Sequence, residues 1–134
     1  MNKNLELIID EIKRTKEIID NMEGISLIDD QGITLFSILD DDIDEDIFEQ
    51  LSGEINLSIE QILNIALLDQ TDAQPFITFE FGEKCVIFSN LSNRFKIIAQ
   101  ASSSLTQGIA ICGIKLLTVR LNGILQEGSN STDE

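Results

Sequence analysis

The sequence predicts an α/β domain in which three helices flank a five-stranded antiparallel sheet. Apolar periodicity divides the 134 residues into helix, strand, strand, helix, three strands and a last helix. Short turns join the strands within each group, which makes neighbouring strands antiparallel. The first two strands are apolar at nearly every position, a pattern typical of a sheet covered on both faces. A chain of this length forms one domain.

In the N-terminal third of the chain, the apolar pattern predicts a helix followed by a β-hairpin. Residues 3–21 carry apolar side chains at helical spacing, namely Leu5, Ile8, Ile9, Ile12 and Ile19. Gly24 ends this pattern. Two strands follow, ISLIDD from Ile25 and ITLFSIL from Ile33, and Asp29–Gly32 forms the turn between them.

An acidic run, Asp40–Asp46, leads into a central helix predicted over residues 43–68. Asp42 as N-cap with Glu45 three residues later matches a capping box. The predicted inner stripe is Phe48, Leu51, Ile55, Ile59, Ile62 and Ala66. The run also has the alternating acids of a calcium loop, but Glu45 replaces the required glycine and Leu51 the bidentate glutamate. A capped helix start therefore explains the run better.

The C-terminal half predicts three strands and a helix. A polar linker covers 69–75, and the strands begin at Pro75, Lys84 and Arg94. A last helix is predicted over 105–126, largely buried, with caps among Ser102, Ser103, Ser104 and Thr106. We expect the domain to span 1–126 and the acidic tail 127–134 to be disordered.

The charge distribution limits the partners. Twenty-four acidic and nine basic residues give a net charge of -15, which disfavours nucleic acid and direct membrane binding. No basic residue occurs between Lys16 and Lys84. This stretch is either a solvated face or an electronegative docking surface for a basic partner.

The residue inventory argues against an enzyme. The chain has no histidine and no glycine-rich phosphate loop, so we expect neither catalysis nor a cofactor. Cys85 and Cys112 both lie in apolar runs and are interpreted as core residues. With no export signal, reduced thiols indicate a cytoplasmic protein.

Two segments carry a family resemblance, SLIDDQGITLFS at 26–37 and RFKIIAQASSSLTQGIAICGIKLLTVRL from Arg94. With the element order, they resemble roadblock (dynein light-chain) domains over residues 3–126. The resemblance implies a profilin-like architecture with strand order 2-1-5-4-3, the central helix on one face and the terminal helices on the other. It also implies a dimer in which third strands pair edge to edge, here through Phe76, Ile77, Thr78, Phe79, Glu80 and Phe81. FITFEF is an apolar edge without lysine, which supports such pairing, although Pro75 and Glu80 are an alternative means of protecting it.

Gly53 has two interpretations. It is either a weak point in the central helix, costing about 1 kcal/mol against alanine, or part of a small pair, Ser52-Gly53, that lets two central helices approach at a dimer axis.

The function that the resemblance implies is a non-catalytic platform for a small Ras-like GTPase, as scaffold or regulator. Its partner in the dimer is a second copy or a roadblock paralogue. The expected GTPase contacts on the central helices are Glu49, Ser52, Gly53, Asn56, Glu60 and Asn64. Because no arginine lies on that helix, we expect that surface to supply no arginine finger. The alternatives are an adaptor subunit of a motor or filament complex and a ligand sensor, although no polar cluster in the sequence indicates a pocket.

Overall fold

The computed structural model describes residues 2–66, 75–102 and 107–131. The elements in chain order are α1 (Asn2–Ile18), β1 (Met22–Ile28), β2 (Thr34–Leu39), α2 (Glu45–Ile65), β3 (Phe76–Phe81), β4 (Lys84–Asn90), β5 (Lys96–Ser102) and α3 (Gln107–Ser131). The predicted linker at 69–74 and the helix caps at 103–106 lie outside the described residues.

The five strands form one antiparallel sheet in the order β2-β1-β5-β4-β3. This confirms the predicted order. β5 is the central strand and lies between β1 and β4. In β1, Ile25 is opposite Ala99 of β5 on one side and Ile38 of β2 on the other. β2 and β3 are the two edges. The register of β3 on β4 is unbroken, whereas that of β1 on β2 shifts between Leu27 and Ile28.

Helices cover both faces of the sheet, as predicted. α1 and α3 pack on one face, where Ile12, Ile25 and Ile114 belong to one buried cluster. α2 packs on the other, where Phe48 and Ile59 meet Ile28 and other strand residues. All seven residues of β1 are buried because successive side chains enter opposite layers. This explains why β1 is apolar on both of its faces.

α1 and α3 lie side by side and antiparallel. Gly113 of α3 faces Ile19, and Arg120 faces Glu11 at 3.6 Å. A Cβ added to Gly113 would come closer than 3.0 Å to the Ile19 side chain. The absence of a side chain at Gly113 therefore sets how closely the two helices approach.

Several predicted boundaries differ from the structure. α2 begins at Glu45, and its N-cap is Asp44, whose Oδ1 accepts from the Ile47 amide at 3.0 Å, instead of Asp42. The reason is a turn in which the Ile43 amide donates to the Asp40 carbonyl and delays the helix. A 3-10 helix at Ser92–Arg94 likewise delays β5 until Lys96.

α3 continues to Ser131, five residues beyond the predicted end at 126. The helix therefore includes residues 127–131, which the sequence assigned to a disordered tail. Residues 132–134 lie outside the described part of the chain.

Candidate functional site

The inner side of α2 contains two residues that the sequence assigned to partner binding. Ser52 and Asn56 are buried against the sheet, since they share the inward face with Phe48 and Ile59. The Ser52 hydroxyl donates to the Phe48 carbonyl at 2.9 Å. Their assignment to an exposed contact surface is therefore wrong: at 3.6 residues per turn both positions face inward.

Asn56 belongs to a polar network around Lys96, the first residue of β5. The Lys96 side chain is 4% exposed. Its ammonium donates to Asn56 Oδ1 and to Glu60 Oε1, each at 2.6 Å, and to the Asp30 carbonyl at 3.4 Å. The Asn56 amide donates to the same carbonyl at 3.3 Å. One buried cation thus joins α2, β5 and the β1–β2 turn.

Gly53 lies on the flank of α2 that faces the β1–β2 turn. A Cβ added to Gly32 in that turn would lie 3.4 Å from the Gly53 Cα, and Gly32 has a φ of +86°. A Cβ on Gly53 itself would meet nothing within 4 Å. Gly53 and Glu60 therefore face the β1–β2 side of the sheet, away from β3. A dimer formed through β3 would have its axis on the other side of α2, so the Ser52-Gly53 pair does not line that axis.

The opposite flank of α2 is apolar and partly exposed. We define this apolar flank as Ile47, Leu51, Ile62 and Ile65. Ile62 is 57% exposed, so its predicted place in the inner stripe is wrong, as is that of the exposed Ala66. Half-buried Leu51 packs into the same core as Ile77 and Phe79 of β3. Because the Gly53 flank faces the β1–β2 turn and β3 is the sheet edge opposite β2, the apolar flank is directed toward the β3 edge.

The outward side of α2 is acidic. We define the acidic surface as the exposed residues Asp46, Glu49 and Glu54. Glu60, on the adjoining flank that faces the β1–β2 turn, keeps 46% of its side chain exposed while it binds Lys96. Asn64 is also exposed, as predicted for a contact residue. α2 contains no basic residue, so nothing on the helix itself neutralises this surface.

Beside Glu60 lies a cavity of about 270 Å³ lined by Asp30, Glu60, Asn90, Arg94 and Lys96. Arg94 is 82% exposed and pairs with Asp30 at 3.5 Å. Its backbone has a φ of +68°, an uncommon conformation for a residue other than glycine.

The cluster is not apparent in the sequence because its members come from three stretches far apart in the chain, namely residues 30, 60 and 90–96. The inference that the central-helix surface has no arginine available is therefore too strong, since Arg94 reaches its margin from the turn before β5. No sequence motif indicates that these residues lie close together in the fold. The left-handed backbone of Arg94 appears only in the fold.

The two cysteines occupy different environments. Cys85 is buried in the core, as predicted, whereas Cys112 is exposed on α3, so its predicted core position is wrong. Across residues 2–66, 75–102 and 107–131, no group of three or more His, Cys, Asp or Glu residues is arranged to hold a metal ion.

Comparison with solved structures identifies the fold. MglB of Myxococcus xanthus superposes with a TM-score of 0.73 at 16% identity, covering 90% of this chain and 95% of that one. The gliding protein MglB of Thermus thermophilus gives 0.75 at 12% identity, with 92% of each chain covered. A Roadblock/LC7 domain from Streptomyces avermitilis gives 0.68 at 11% identity, covering 87% of this chain and 95% of that domain.

These similarities show that the chain has the roadblock/LC7 fold over most of its length. No protein-family model and no curated protein sequence matches the chain. At 10–16% identity the solved structures define the architecture alone.

Proposed function

We propose that this roadblock-fold protein is a non-catalytic, dimeric platform for a small Ras-like GTPase, acting as scaffold or regulator in the cytoplasm. The observation that carries the proposal is the pairing of two features on one side of the molecule. Among the described residues β3 has no strand on its outer side, and the apolar flank of α2 is directed toward this edge. The exposed acidic surface lies on the outward side of the same helix. Structures of similar fold include one described as MglB with tetrameric arrangement, which supports self-association.

The β3 edge is the better of the two edges for pairing with a second copy. β3 runs in unbroken register with β4, so its outer side offers a regular row of backbone groups. The irregular register in β2 distorts the opposite edge, and such distortions discourage pairing. Pairing through β3 extends the sheet across the dimer.

The apolar flank replaces Ser52 and Gly53 in the proposed dimer interface. Ile62 and Ile65 are large, exposed and on the side of α2 toward β3. When two β3 strands pair, the two copies of this flank approach each other and cover these side chains. The resulting interface combines backbone hydrogen bonds with burial of isoleucine, which is worth about 25 cal/mol per Å² of apolar area removed from water.

Size-exclusion chromatography with light scattering tests the dimer. Thr78→Pro removes a backbone donor from β3 at an exposed position, and Ile62→Glu places a charge in the apolar flank. We expect the parent chain to be dimeric and both variants to be monomeric with native circular dichroism. Leu57→Glu, on the outer side of α2, is the matched control and stays dimeric. A parent chain that remains monomeric at high concentration contradicts the proposal.

The acidic surface is the proposed GTPase contact. Glu49→Lys combined with Glu54→Lys reverses two charges on exposed side chains outside the buried core. Glu60 is unsuitable for reversal, since a lysine there would face the buried Lys96 ammonium. We expect the immobilised double variant to lose the ability to capture small Ras-like GTPases from the organism that makes this protein. Unchanged capture instead favours the alternative function, an adaptor that binds motor or filament components through a sheet edge.

Arg94 decides whether the platform contributes an arginine to hydrolysis. We expect alanine at Arg14, Arg94 or Arg120 to leave any stimulation of GTP hydrolysis within a few-fold, because the GTPase's own groups perform the chemistry. Arg94 is the informative variant, as it alone lines the cavity beside Glu60. A loss of about 1,000-fold for Arg94→Ala alone, the scale expected for an arginine finger, contradicts this expectation.

A further inference from the structure

The outer face of α3, on the side of the sheet opposite α2, exposes a row of apolar side chains. Ile109 is 61% exposed, Leu116 58% and Val119 69%, and Cys112 is exposed between them. The inner face of the same helix is buried through Ile114, Leu117 and Leu121, among others. α3 is therefore apolar on two faces. This is why, among the described helices, Gly108–Gln126 alone has the length and hydropathy of a membrane span.

The exposed row has the spacing of a coiled-coil seam. We define the α3 seam as Ile109, Cys112, Leu116 and Val119, which follow one another at intervals of three, four and three residues. These are the a and d positions of consecutive heptads, the positions that insert into a facing helix. The seam is about 16 Å long at 1.5 Å per residue. A helix lying along α3 would cover it.

Both charged residues of α3 that border the seam are basic, and Glu11 of α1 lies beside one of them. Lys115 occupies the g position and Arg120 the e position of this heptad frame, and both are exposed. Lys115 lies 5.1 Å from the centre of the Phe76 ring, and Arg120 is 3.6 Å from Glu11, a long contact for an ion pair. No acidic residue occurs from Lys84 to Gln126. In a chain of net charge -15, the part of α3 that carries the seam is thus locally basic, with Glu11 of α1 near its Arg120 end.

The charges at e and g select the partner. In a coiled coil these positions face the e and g positions of the other helix and set partner choice through opposite charges. Two copies of the seam would oppose basic residues in either relative direction, since Lys115 and Arg120 are both cationic. A helix with acidic residues at its own e and g positions would instead form ion pairs on both sides. Charge complementarity therefore argues against a second copy.

We propose that the α3 seam is a docking site for an amphipathic helix of another protein, with an apolar a/d row and acidic flanks. The site lies on the face of the sheet opposite α2, away from the proposed GTPase surface, and its border residue Lys115 reaches Phe76 at the start of β3. A docked helix leaves the acidic surface accessible, so the protein holds two partners on opposite faces of one sheet.

Two synthetic helical peptides of about three heptads test the proposal. They share Leu and Ile at a and d and differ only in carrying Glu or Lys at e and g. Fluorescence anisotropy with the full-length protein measures both dissociation constants at about 150 mM salt. We expect the Glu peptide to bind at least about tenfold tighter than the Lys peptide, since like charges across an interface oppose binding. We also expect it to slow alkylation of Cys112 by maleimide.

Variants link binding to the α3 seam. Leu116→Glu and, independently, Val119→Glu should each weaken the Glu peptide at least about tenfold, the loss expected for a central contact. Lys115→Glu with Arg120→Glu should invert the preference between the peptides. Leu57→Glu on α2 is the control and should bind like the parent chain. Both seam positions are exposed, so circular dichroism should be unchanged.

Four results overturn the proposal: equal affinity for the two peptides, no binding of either at about 1 mM, a preference that survives the charge reversal, or unaltered Cys112 alkylation. A second copy as occupant would appear as oxidative Cys112–Cys112 crosslinking that Leu116→Glu prevents. A lipid surface would appear as cosedimentation with phosphatidylserine vesicles that the same variant abolishes. Either of these also refutes the acidic-helix partner.

Discussion

Removing Lys96 and Asn56 singly and together tests whether the buried network acts as one unit. Asn56→Leu deprives the Lys96 ammonium of one of its two 2.6 Å partners, while Glu60 stays in place. Leaving a buried polar group without one of its hydrogen-bond partners costs about 1–3 kcal/mol, and more when the group is charged. Because the remaining partner, Glu60, is 46% exposed and water can approach the pair, we expect about 2–3 kcal/mol here.

Lys96→Met should lower the free energy of unfolding by less, because it has both destabilising and stabilising effects. The buried Asn56 oxygen loses a donor, an effect of about 1–3 kcal/mol. The ammonium no longer needs to be desolvated, and Glu60 returns to water. We expect a net destabilisation of about 1 kcal/mol. In the double variant both polar groups become apolar, so its cost should also stay near 1 kcal/mol, well below the sum of the single effects.

The expected coupling between the two positions is thus about 2 kcal/mol. Urea unfolding followed by far-ultraviolet circular dichroism measures it, since the chain has no Trp or Tyr to report fluorescence. Protein concentration must be held constant because dimerisation would shift the apparent stability. If the double variant costs the sum of the single variants to within about 0.5 kcal/mol, the network is not a cooperative unit.

Two further pairs of substitutions test local features. Asp44→Ala should lower the free energy of unfolding by about 1 kcal/mol, since Asp44 caps α2. Asp42→Ala should change it by less than about 0.5 kcal/mol. Equal losses of stability in urea titrations of the two variants would contradict the assigned cap. Gly113→Ala should destabilise by about 1 kcal/mol or more through overlap with Ile19, whereas Gly123→Ala, with no atom within 4 Å, should stabilise by up to about 1 kcal/mol. Thermal unfolding of both glycine variants at one concentration decides this, and a stabilised Gly113→Ala would refute the close helix contact.

The sequence predicted the architecture well because its main signal, apolar periodicity, reports burial on each face of an element. β1 carries apolar side chains into both layers and is buried along its whole length, which confirms the prediction that helices cover both faces of the sheet. The same signal was less reliable for helices with two apolar sides. Ile62 and Cys112 fit inward stripes by composition, yet the structure exposes both.

The site was less predictable because it depends on contacts between distant segments. Asp30, Glu60, Arg94 and Lys96 share one cavity, although no local motif connects them. Ser52 and Asn56 appeared to be surface residues because they are polar, but Ser52 bonds to its own helix and Asn56 binds the buried Lys96. Residue type alone does not distinguish a polar side chain that binds a partner from one that binds an internal ion.

The strand order also has a consequence for biosynthesis. The central strand β5 comes from residues 96–102, whereas its neighbour β1 comes from residues 22–28, so the middle of the sheet cannot close until most of the chain has left the ribosome. Before then, β1 has only its hairpin partner β2, and its apolar side chains remain open to aggregation or to chaperones. Because such long-range pairing slows folding, the nascent chain should depend on protection until β5 is available.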